Sequence, residues 1–132
     1  YVLAAIDSKR EDIYVQVFTV KSEEFNLWPL GKPEAISPKI LGDLLGSRLS
    51  AQSNSSVRVV VSGDATARAV AALRDSGIDA VAGTATLVSD ARGVAAIAAT
   101  RWTGAVSVGS LQPIYLRPPD ATVPRNGGRL RP

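Results

Sequence analysis

The chain contains 132 residues, enough for one domain or a part of one, and its 45% hydrophobic and 20% charged residues are typical of a folded globular protein. It has no cysteine, histidine or methionine, which excludes disulfides, thiolate nucleophiles, Ser-His triads and nearly all zinc hydrolase sites. Most of the formal net charge of +3 comes from residues 118–132, where three arginines stand against one aspartate.

No stretch approaches the roughly 20 apolar residues that a transmembrane helix requires, and the first residues lack the basic region of a secretory signal. We therefore expect a soluble, cytoplasmic protein. The chain begins at Tyr1 without an initiator methionine and enters an apolar run at once. We expect it to be a portion of a longer protein.

The first twenty residues predict a β-hairpin. Val2–Ile6 is an unbroken apolar run, which is typical of a strand covered on both faces. Ile13–Val20 is rich in β-branched and aromatic residues, and its alternation places Ile13, Val15 and Val17 on one face. Because only the polar residues 7–12 join the two strands, we expect them to pair in antiparallel fashion.

A mixed segment at residues 21–34 has room for one short extra strand, and a helix follows it. Ser37 can cap this helix, because Pro38 then occupies the first helical position, where its missing N–H is not needed. Gly42 and Gly46 weaken the helix by about 1 kcal/mol each relative to alanine. The side predicted to face the core carries Ile40, Leu41, Leu44, Leu45 and Leu49.

The clearest interior strand is Val57–Val61, and a second helix begins directly after Ser62-Gly63-Asp64. Val70 and Leu73 lie on the inner face of that helix, and Gly77 ends it. Residues 78–87 form a weaker strand and loop.

A third helix starts at a Ser89 cap and carries an apolar stripe at the spacing of an amphipathic helix. The stripe consists of Val94, Ile97, Ala98 and Trp102.

These elements predict an α/β fold, in which a mixed sheet with an opening antiparallel hairpin is flanked by helices. Residues 1–117 form the domain, which closes with the short extended segment Pro113–Leu116, and residues 118–132 form a Pro/Arg-rich tail. The tail is either a flexible solvated end or a weak electrostatic arm for RNA; it has no aromatic residue for base stacking.

Two places on this framework are candidate sites, and each has a structural alternative. The Ser62–Thr66 turn joins a strand to a helix N-terminus, where an anion can bind, although Asp64 is also an ordinary N-cap. Asp7 ends the first strand, where it suits a magnesium or nucleotide contact, although a charged hairpin turn is the default explanation. Trp28, in a proline-flanked loop, is a candidate contact for another chain.

No catalytic motif accompanies these residues. The turn lacks the glycines of a dinucleotide-binding loop and the Gly-Lys-Ser/Thr of a P-loop. No serine lies in a Gly-x-Ser-x-Gly elbow, and no lysine or carboxylate pair has catalytic spacing. We therefore name no catalytic, cofactor-binding or metal-binding residue.

Three segments resemble the C-terminal half of the TsaB (YeaZ) family. Residues 2–15, VLAAIDSKREDIYV, resemble the hairpin that opens that half, and residues 112–117, QPIYLR, resemble a segment near the family's C-terminus. Between them, residues 59–65, VVVSGDA, resemble a strand followed by a Gly-Asp-Gly-Ala turn. The chain departs from the family pattern in having Glu11 at a glycine of the hairpin and Ala65 at the second glycine of the turn.

The resemblance implies half of an actin, Hsp70 and sugar-kinase-like (ribonuclease H-like) fold. It also implies a non-catalytic scaffold subunit of the complex that makes threonylcarbamoyladenosine beside the anticodon of tRNA. The implied partners are a TsaD-like catalytic subunit and a TsaE-like ATPase, with tRNA engaged indirectly and a homodimer formed through an N-terminal half absent from this sequence. The family's older glycoprotease (peptidase M22-like) label does not fit, because a zinc peptidase needs ligands that this chain does not offer.

The matched positions are Asp7, Arg10, Tyr14, Tyr115 and Arg117. We expect Tyr115 to pack near the hairpin and Arg117 to pair with a carboxylate there. The alternative function is a small nucleotide-binding enzyme domain that uses Asp7 and the Ser62–Thr66 turn.

Overall fold

A computed structural model describes residues 1–21, 26–49, 57–84, 90–100, 104 and 112–118. Within them lie six strands, three α-helices and one 3-10 turn. In chain order the elements are β1 (Val2–Asp7), β2 (Ile13–Lys21), β3 (Asn26–Pro29), β4 (Glu34–Ile36), the 3-10 turn Pro38–Ile40, α1 (Leu41–Leu49), β5 (Arg58–Ser62), α2 (Thr66–Asp75), β6 (Asp79–Ala82) and α3 (Ala91–Thr100).

The strands form one mixed sheet in the order β3-β2-β1-β5-β6. β1 and β2 are antiparallel neighbours, and β1, β5 and β6 run parallel. β3 and β4 both pair with β2, at different stretches of the strand away from β1. The predicted hairpin, the interior strand and the α/β fold class are confirmed, although two short strands rather than one follow the hairpin.

The core lies between the sheet and the pair of helices α1 and α2. Alternate strand residues supply one side of it, namely Leu3, Ala5, Ile13, Val15, Val17, Val59 and Val61. The helices supply Leu41, Leu45, Leu49, Ala69 and Leu73. The predicted core faces of the hairpin and of both helices are largely confirmed, because the same periodicities that form the elements also sort their side chains.

Two burial predictions were wrong. In the part of the chain that the structure describes, β1 is fully buried only on the face of Leu3 and Ala5, and Ile6 on the other face is 45% exposed. Both α1 and α2 pack on the opposite face, so the unbroken apolar run does not mean two covered faces. Ile40 is 52% exposed, because it belongs to the 3-10 turn and therefore does not continue the rotation of the α-helical stripe.

The start of α1 and its packing on α2 depend on small residues. Ser37 Oγ accepts a hydrogen bond from Lys39 N at 3.4 Å, and Pro38 begins the 3-10 turn, which confirms the predicted cap. A Cβ at Gly42 would lie 2.1 Å from Ser76 Oγ. Gly42 therefore permits the close approach of the two helices, a role that its helix propensity does not reveal.

α3 is amphipathic as predicted, but every residue of it is exposed. Val94 is 67% and Ile97 57% exposed. Asp90 Oδ1 accepts a hydrogen bond from Arg92 N at 2.8 Å, so Asp90 caps the helix. The predicted Ser89 cap and Trp102 lie outside the described residues.

The boundary predicted at residue 117 and the tail beyond it stay predictions, because residues 119–132 are outside the described part of the chain. Within that described part, no helix combines the length and the apolar character that crossing a membrane requires.

Candidate functional site

The charged residues of the predicted sites meet at one end of the sheet, where the parallel strands β1 and β5 finish. There the backbone N–H of Asp7 donates to Asp64 Oδ1 at 2.7 Å, and Ala65 N donates to Ala5 O at 3.1 Å. The two candidate sites of the sequence are therefore a single site. We call Asp7–Asp12 together with Gly63–Arg68 the strand-end cluster.

Gly63 lets the β5–α2 turn lie directly on β1. Its φ is +123°, and a Cβ there would be 2.0 Å from Ala5 O. Only glycine adopts this conformation freely and leaves this space. The turn is thereby held by main-chain contacts to the neighbouring strand.

Asp64 does not cap α2, so that prediction was wrong. The residue that precedes the helix is Ala65, which provides no side-chain cap. The Asp64 carboxylate turns instead to the amide of Asp7, a contact across the sheet that is invisible in the local sequence. Within the turn itself, Thr66 Oγ1 donates to Gly63 O at 2.6 Å.

Asp7 is neutralised by two cations. Its Oδ1 accepts from Lys9 N at 3.0 Å and from Arg68 Nη1 at 3.3 Å, and its Oδ2 lies 3.1 Å from Lys9 Nζ. The hydrogen bond from the Lys9 amide, followed by the one from its ammonium group, lowers the pKa of Asp7 below its ordinary value of 3.8. The carboxylate is thus held ionised within a charged turn.

Arg68 connects α2 to the hairpin turn, a role that was not predicted from the sequence. Its guanidinium donates to Arg10 O at 3.3 Å and to Glu11 O, in addition to its contact with Asp7. The sequence did contain one indication of this role. Arg68 lies in the first turn of a helix, where the helix dipole disfavours a cation, so an arginine there suggests a contact with another part of the chain.

The hairpin turn takes its unusual backbone conformation at Lys9, whose φ is +61°. Glu11 stands where the TsaB family, which this hairpin resembles in sequence, has a glycine. The left-handed residue of this turn is Lys9, two positions earlier, so the turn does not require a glycine at position 11.

Asp12 joins the turn to the distant segment Gln112–Pro118. Arg117 Nε lies 2.9 Å from Asp12 Oδ2, and Ser8 Oγ donates to Asp12 Oδ1 at 2.8 Å. The Ser8 hydrogen bond is the main cause that lowers the pKa of Asp12, and the charge of Arg117 acts in the same direction. The expected pairing of Arg117 with a hairpin carboxylate is confirmed.

The other matched residues take ordinary positions. Tyr115 is 85% exposed, so the expected packing on the hairpin was wrong; the segment is attached through Arg117 instead. Tyr14 is half-buried in β2 opposite Ile6, and Arg10 is exposed. Trp28 is 51% exposed in β3 rather than in a loop.

The contacts of the strand-end cluster hold its loops together, and they leave its carboxylates poorly suited to bind a ligand. Asp7 and Asp12 face arginine or lysine side chains, and Asp64 accepts from a main-chain amide. A magnesium ion would have to compete with Lys9 and Arg68 for Asp7. Among the described residues, no group of three or more carboxylates is arranged to hold a metal ion.

Comparison with known proteins supports the fold. No protein-family model matches the sequence, and no curated protein matches it either. The chain is similar to a solved structure described as an uncharacterized protein with similarity to peptidase YEAZ from Pseudomonas aeruginosa, with a TM-score of 0.55 and 20% identity. The match covers 88% of this chain and 49% of that one, so the chain spans about half its length. The chain therefore has the fold of about half of that solved structure.

Proposed function

We propose that this chain is a lobe of a TsaB-like scaffold subunit, which serves in the tRNA threonylcarbamoyladenosine complex through protein contacts rather than chemistry. The similarity to half of a YeaZ-like fold supports the family-level role. The proposed partners are a TsaD-like catalytic subunit and a TsaE-like ATPase. Both partners are proposed because the hairpin and the QPIYLR segment resemble those of the TsaB family in sequence.

The observation that carries the non-catalytic part of the proposal is the charge pairing in the strand-end cluster. Open α/β sheets bind their ligands at the carboxyl ends of parallel strands. At that end of this sheet, Asp7 is paired with Lys9 and Arg68, and Asp12 with Arg117. Carboxylates engaged in this way stabilise the loops and are poorly placed to bind a metal or to transfer protons.

A complementation experiment tests the proposal. Cells that lack the gene are expected to lose threonylcarbamoyladenosine from their tRNA, as measured by mass spectrometry of nucleosides. The unaltered gene is expected to restore it, and so is Asp7→Asn, provided that the protein reaches normal abundance. If Asp7→Asn abolishes the modification at normal protein abundance, the carboxylate has a chemical role and the scaffold proposal fails.

Copurification with the proposed partner is the second measurement. The unaltered protein is expected to copurify with the TsaD-like protein of the same organism, and Asp7→Asn is expected to do so equally. If cells without the gene keep normal levels of the modified nucleoside, the proposed pathway is wrong, whatever the protein binds.

A nucleotide-binding role is the second candidate. It is favoured because Asp7 and the Ser62–Thr66 turn lie together, with Asp7 N 2.7 Å from Asp64 Oδ1. It predicts heat on titration with ATP and Mg²⁺ and loss of that heat in Asp7→Ala. The scaffold role predicts no heat at millimolar ATP in either protein.

A further inference from the structure

One edge of the sheet is formed by β6, which pairs with β5 and with no other strand among the described residues. Gly83 N donates to Val61 O at 2.7 Å, so the main-chain groups of Gly83 point toward β5. These groups alternate in direction along a strand, and the N–H and C=O of Ala80 and Ala82 therefore point outward. Outward main-chain groups of this kind are a template for pairing with another chain.

The composition of β6 does little to prevent such pairing. Its sequence is Asp-Ala-Val-Ala, without the proline or lysine that commonly protects an exposed edge. Its charged residue, Asp79, is the first of the strand and is paired with Arg58 Nε at 2.8 Å. The other edge of the sheet differs, because β3 includes Pro29 and Pro33 immediately precedes β4. Protection of β6 must therefore come from another element.

Arg74, in the last turn of α2, makes a contact that protects this edge. Its Nε donates to Ala80 O at 2.9 Å in a partly buried position. Ala80 is fully buried although it belongs to an edge strand, whereas Ala82, the next outward-pointing residue, is exposed. The guanidinium thus occupies a carbonyl that an added strand would need, and a strand that paired there would also bury the positive charge.

The end of α2 does not by itself explain this contact. The helix dipole favours a cation in the last turn, but an arginine turned toward solvent would satisfy that preference equally. The helix already ends through its main chain, since Gly77 has a φ of +78° and its N–H donates to Arg74 O at 2.9 Å. The Arg74 side chain reaches past this end to the edge of the sheet.

The outer edge of β6 is complementary to itself. Two copies can pair in antiparallel fashion about a two-fold axis beside Val81, which places Ala80 of one copy opposite Ala82 of the other. Two residues opposed in this way exchange both N–H···O bonds. In each pair, one of these bonds ends on Ala80 O, the carbonyl that Arg74 already holds.

We propose that the outer edge of β6 is a pairing surface for β6 of a second copy, and that Arg74 keeps this surface closed. While Arg74 Nε holds Ala80 O, pairing loses one bond of each exchanged pair and buries a guanidinium charge. The two copies therefore stay apart at this edge as long as the Arg74 contact is made. The closure concerns self-association and is independent of the proposed tRNA-modification role.

Removal of the Arg74 side chain from the full chain tests the closure. Arg74→Ala is expected to self-associate at a protein concentration about tenfold lower than the unaltered chain, as measured by sedimentation velocity. Arg92→Ala is the matched control, because it removes the same charge from an exposed position on α3. Arg74→Ala with Ala82→Pro should behave like the unaltered chain, because proline removes an outward N–H and leaves the bonds to β5 in place.

Oxidation of an introduced cysteine provides a second measurement, and the natural absence of cysteine makes it selective. In the paired arrangement, Val81 lies opposite Val81 of the second copy at a Cα separation of about 4.5 Å, which a disulfide can span. Val81→Cys with Arg74→Ala is expected to form a disulfide-linked dimer about tenfold faster than Val81→Cys alone. Val81→Cys with Arg92→Ala should be as slow as Val81→Cys alone.

Self-association of Arg74→Ala that is no stronger than that of Arg92→Ala would overturn the proposal. Association that persists with Ala82→Pro would do the same, because the pairing surface would then not be the outer edge of β6. Equal rates of dimer formation in the three cysteine variants would also contradict it. Circular dichroism verifies folding; if Arg74→Ala does not fold, Arg74→Met replaces it with the same expected results, because methionine keeps the apolar stem but lacks the charge and the donor.

Discussion

Arg117 Nε lies 2.9 Å from Asp12 Oδ2, so a side chain near the end of the described chain is paired with the turn of its first hairpin. These two residues are more than a hundred positions apart in the sequence. Asp12 also accepts from Ser8 within the turn. The pair therefore attaches the Gln112–Pro118 segment to a turn that is already ordered by its own hydrogen bonds.

Breaking this pair is expected to release the segment. Asp12→Asn removes the charge but keeps a hydrogen-bonding side chain, and chymotrypsin should then cleave after Tyr115 several-fold faster, as measured by limited proteolysis and mass spectrometry. The charge exchange Asp12→Arg with Arg117→Asp should restore part of the resistance to cleavage. Cleavage after Tyr115 that is unaffected by Asp12→Asn would mean that other contacts hold the segment.

Acid sensitivity is expected to come partly from Asp7. Its pKa in the folded protein lies below the ordinary value of 3.8, so its ionised form stabilises the fold above that value. This contribution is lost as the pH falls from about 4 through the folded pKa. Urea unfolding should show a steeper loss of stability below about pH 4 for the unaltered protein than for Asp7→Asn. Parallel pH profiles of the two proteins would contradict this assignment.

Gly63→Ala is expected to be among the most damaging single substitutions. It forces a φ of +123° on an L-residue and places a methyl group 2.0 Å from Ala5 O, so a loss of about 3 kcal/mol or more is expected in urea unfolding. Gly46→Ala is the matched control, since its Cβ meets nothing within 4 Å. It should stabilise α1 by about 0.5–1 kcal/mol.

Gly42→Ala should destabilise the protein through the contact between α1 and α2. The new methyl group would overlap Ser76 Oγ at 2.1 Å and Cβ at 2.3 Å, and overpacking of this kind costs about 1–3 kcal/mol. Removing the Ser76 side chain as well, by Ser76→Gly, should recover most of the loss. If the double variant is no more stable than Gly42→Ala, the clash lies elsewhere.

The difference in burial between Leu45 of α1 and Ile40 of the preceding 3-10 turn gives a further test. Leu45 is fully buried and Ile40 is 52% exposed. Leu45→Ala should therefore cost about 2–5 kcal/mol of unfolding free energy, whereas Ile40→Ala should cost well under half of that. Equal losses would show that Ile40 packs against a surface that the described fold does not include.

The periodicity of apolar residues was sufficient to predict which side of β2 and of α1 is buried. The alternation of Ile13, Val15 and Val17 and the helical spacing of Leu41, Leu45 and Leu49 predicted the faces that the core confirms. The pairing of Arg117 with a hairpin carboxylate was also expected. That expectation came from a family resemblance, because no local rule relates residues so far apart in the chain.

The strand-end cluster was only partly predictable. Asp7, Asp64 and Arg117 were singled out, yet the reading of Asp64 as an N-cap was wrong, and Arg68 was not assigned a role. Local sequence can rank Asp64 as a cap because capping depends on neighbouring residues. It cannot show that the amide of Asp7 competes for the same carboxylate from an adjacent strand.

The amino-acid sequence by itself determined the order and type of the main elements, since backbone preferences and the alternation of apolar residues act over a few positions. Only the tertiary structure decided which face of β1 is covered, why Gly42 and Gly63 must be small, and which cation neutralises each carboxylate. These outcomes depend on distances between segments that are remote in the chain, which arise only when the strands pair and the helices pack.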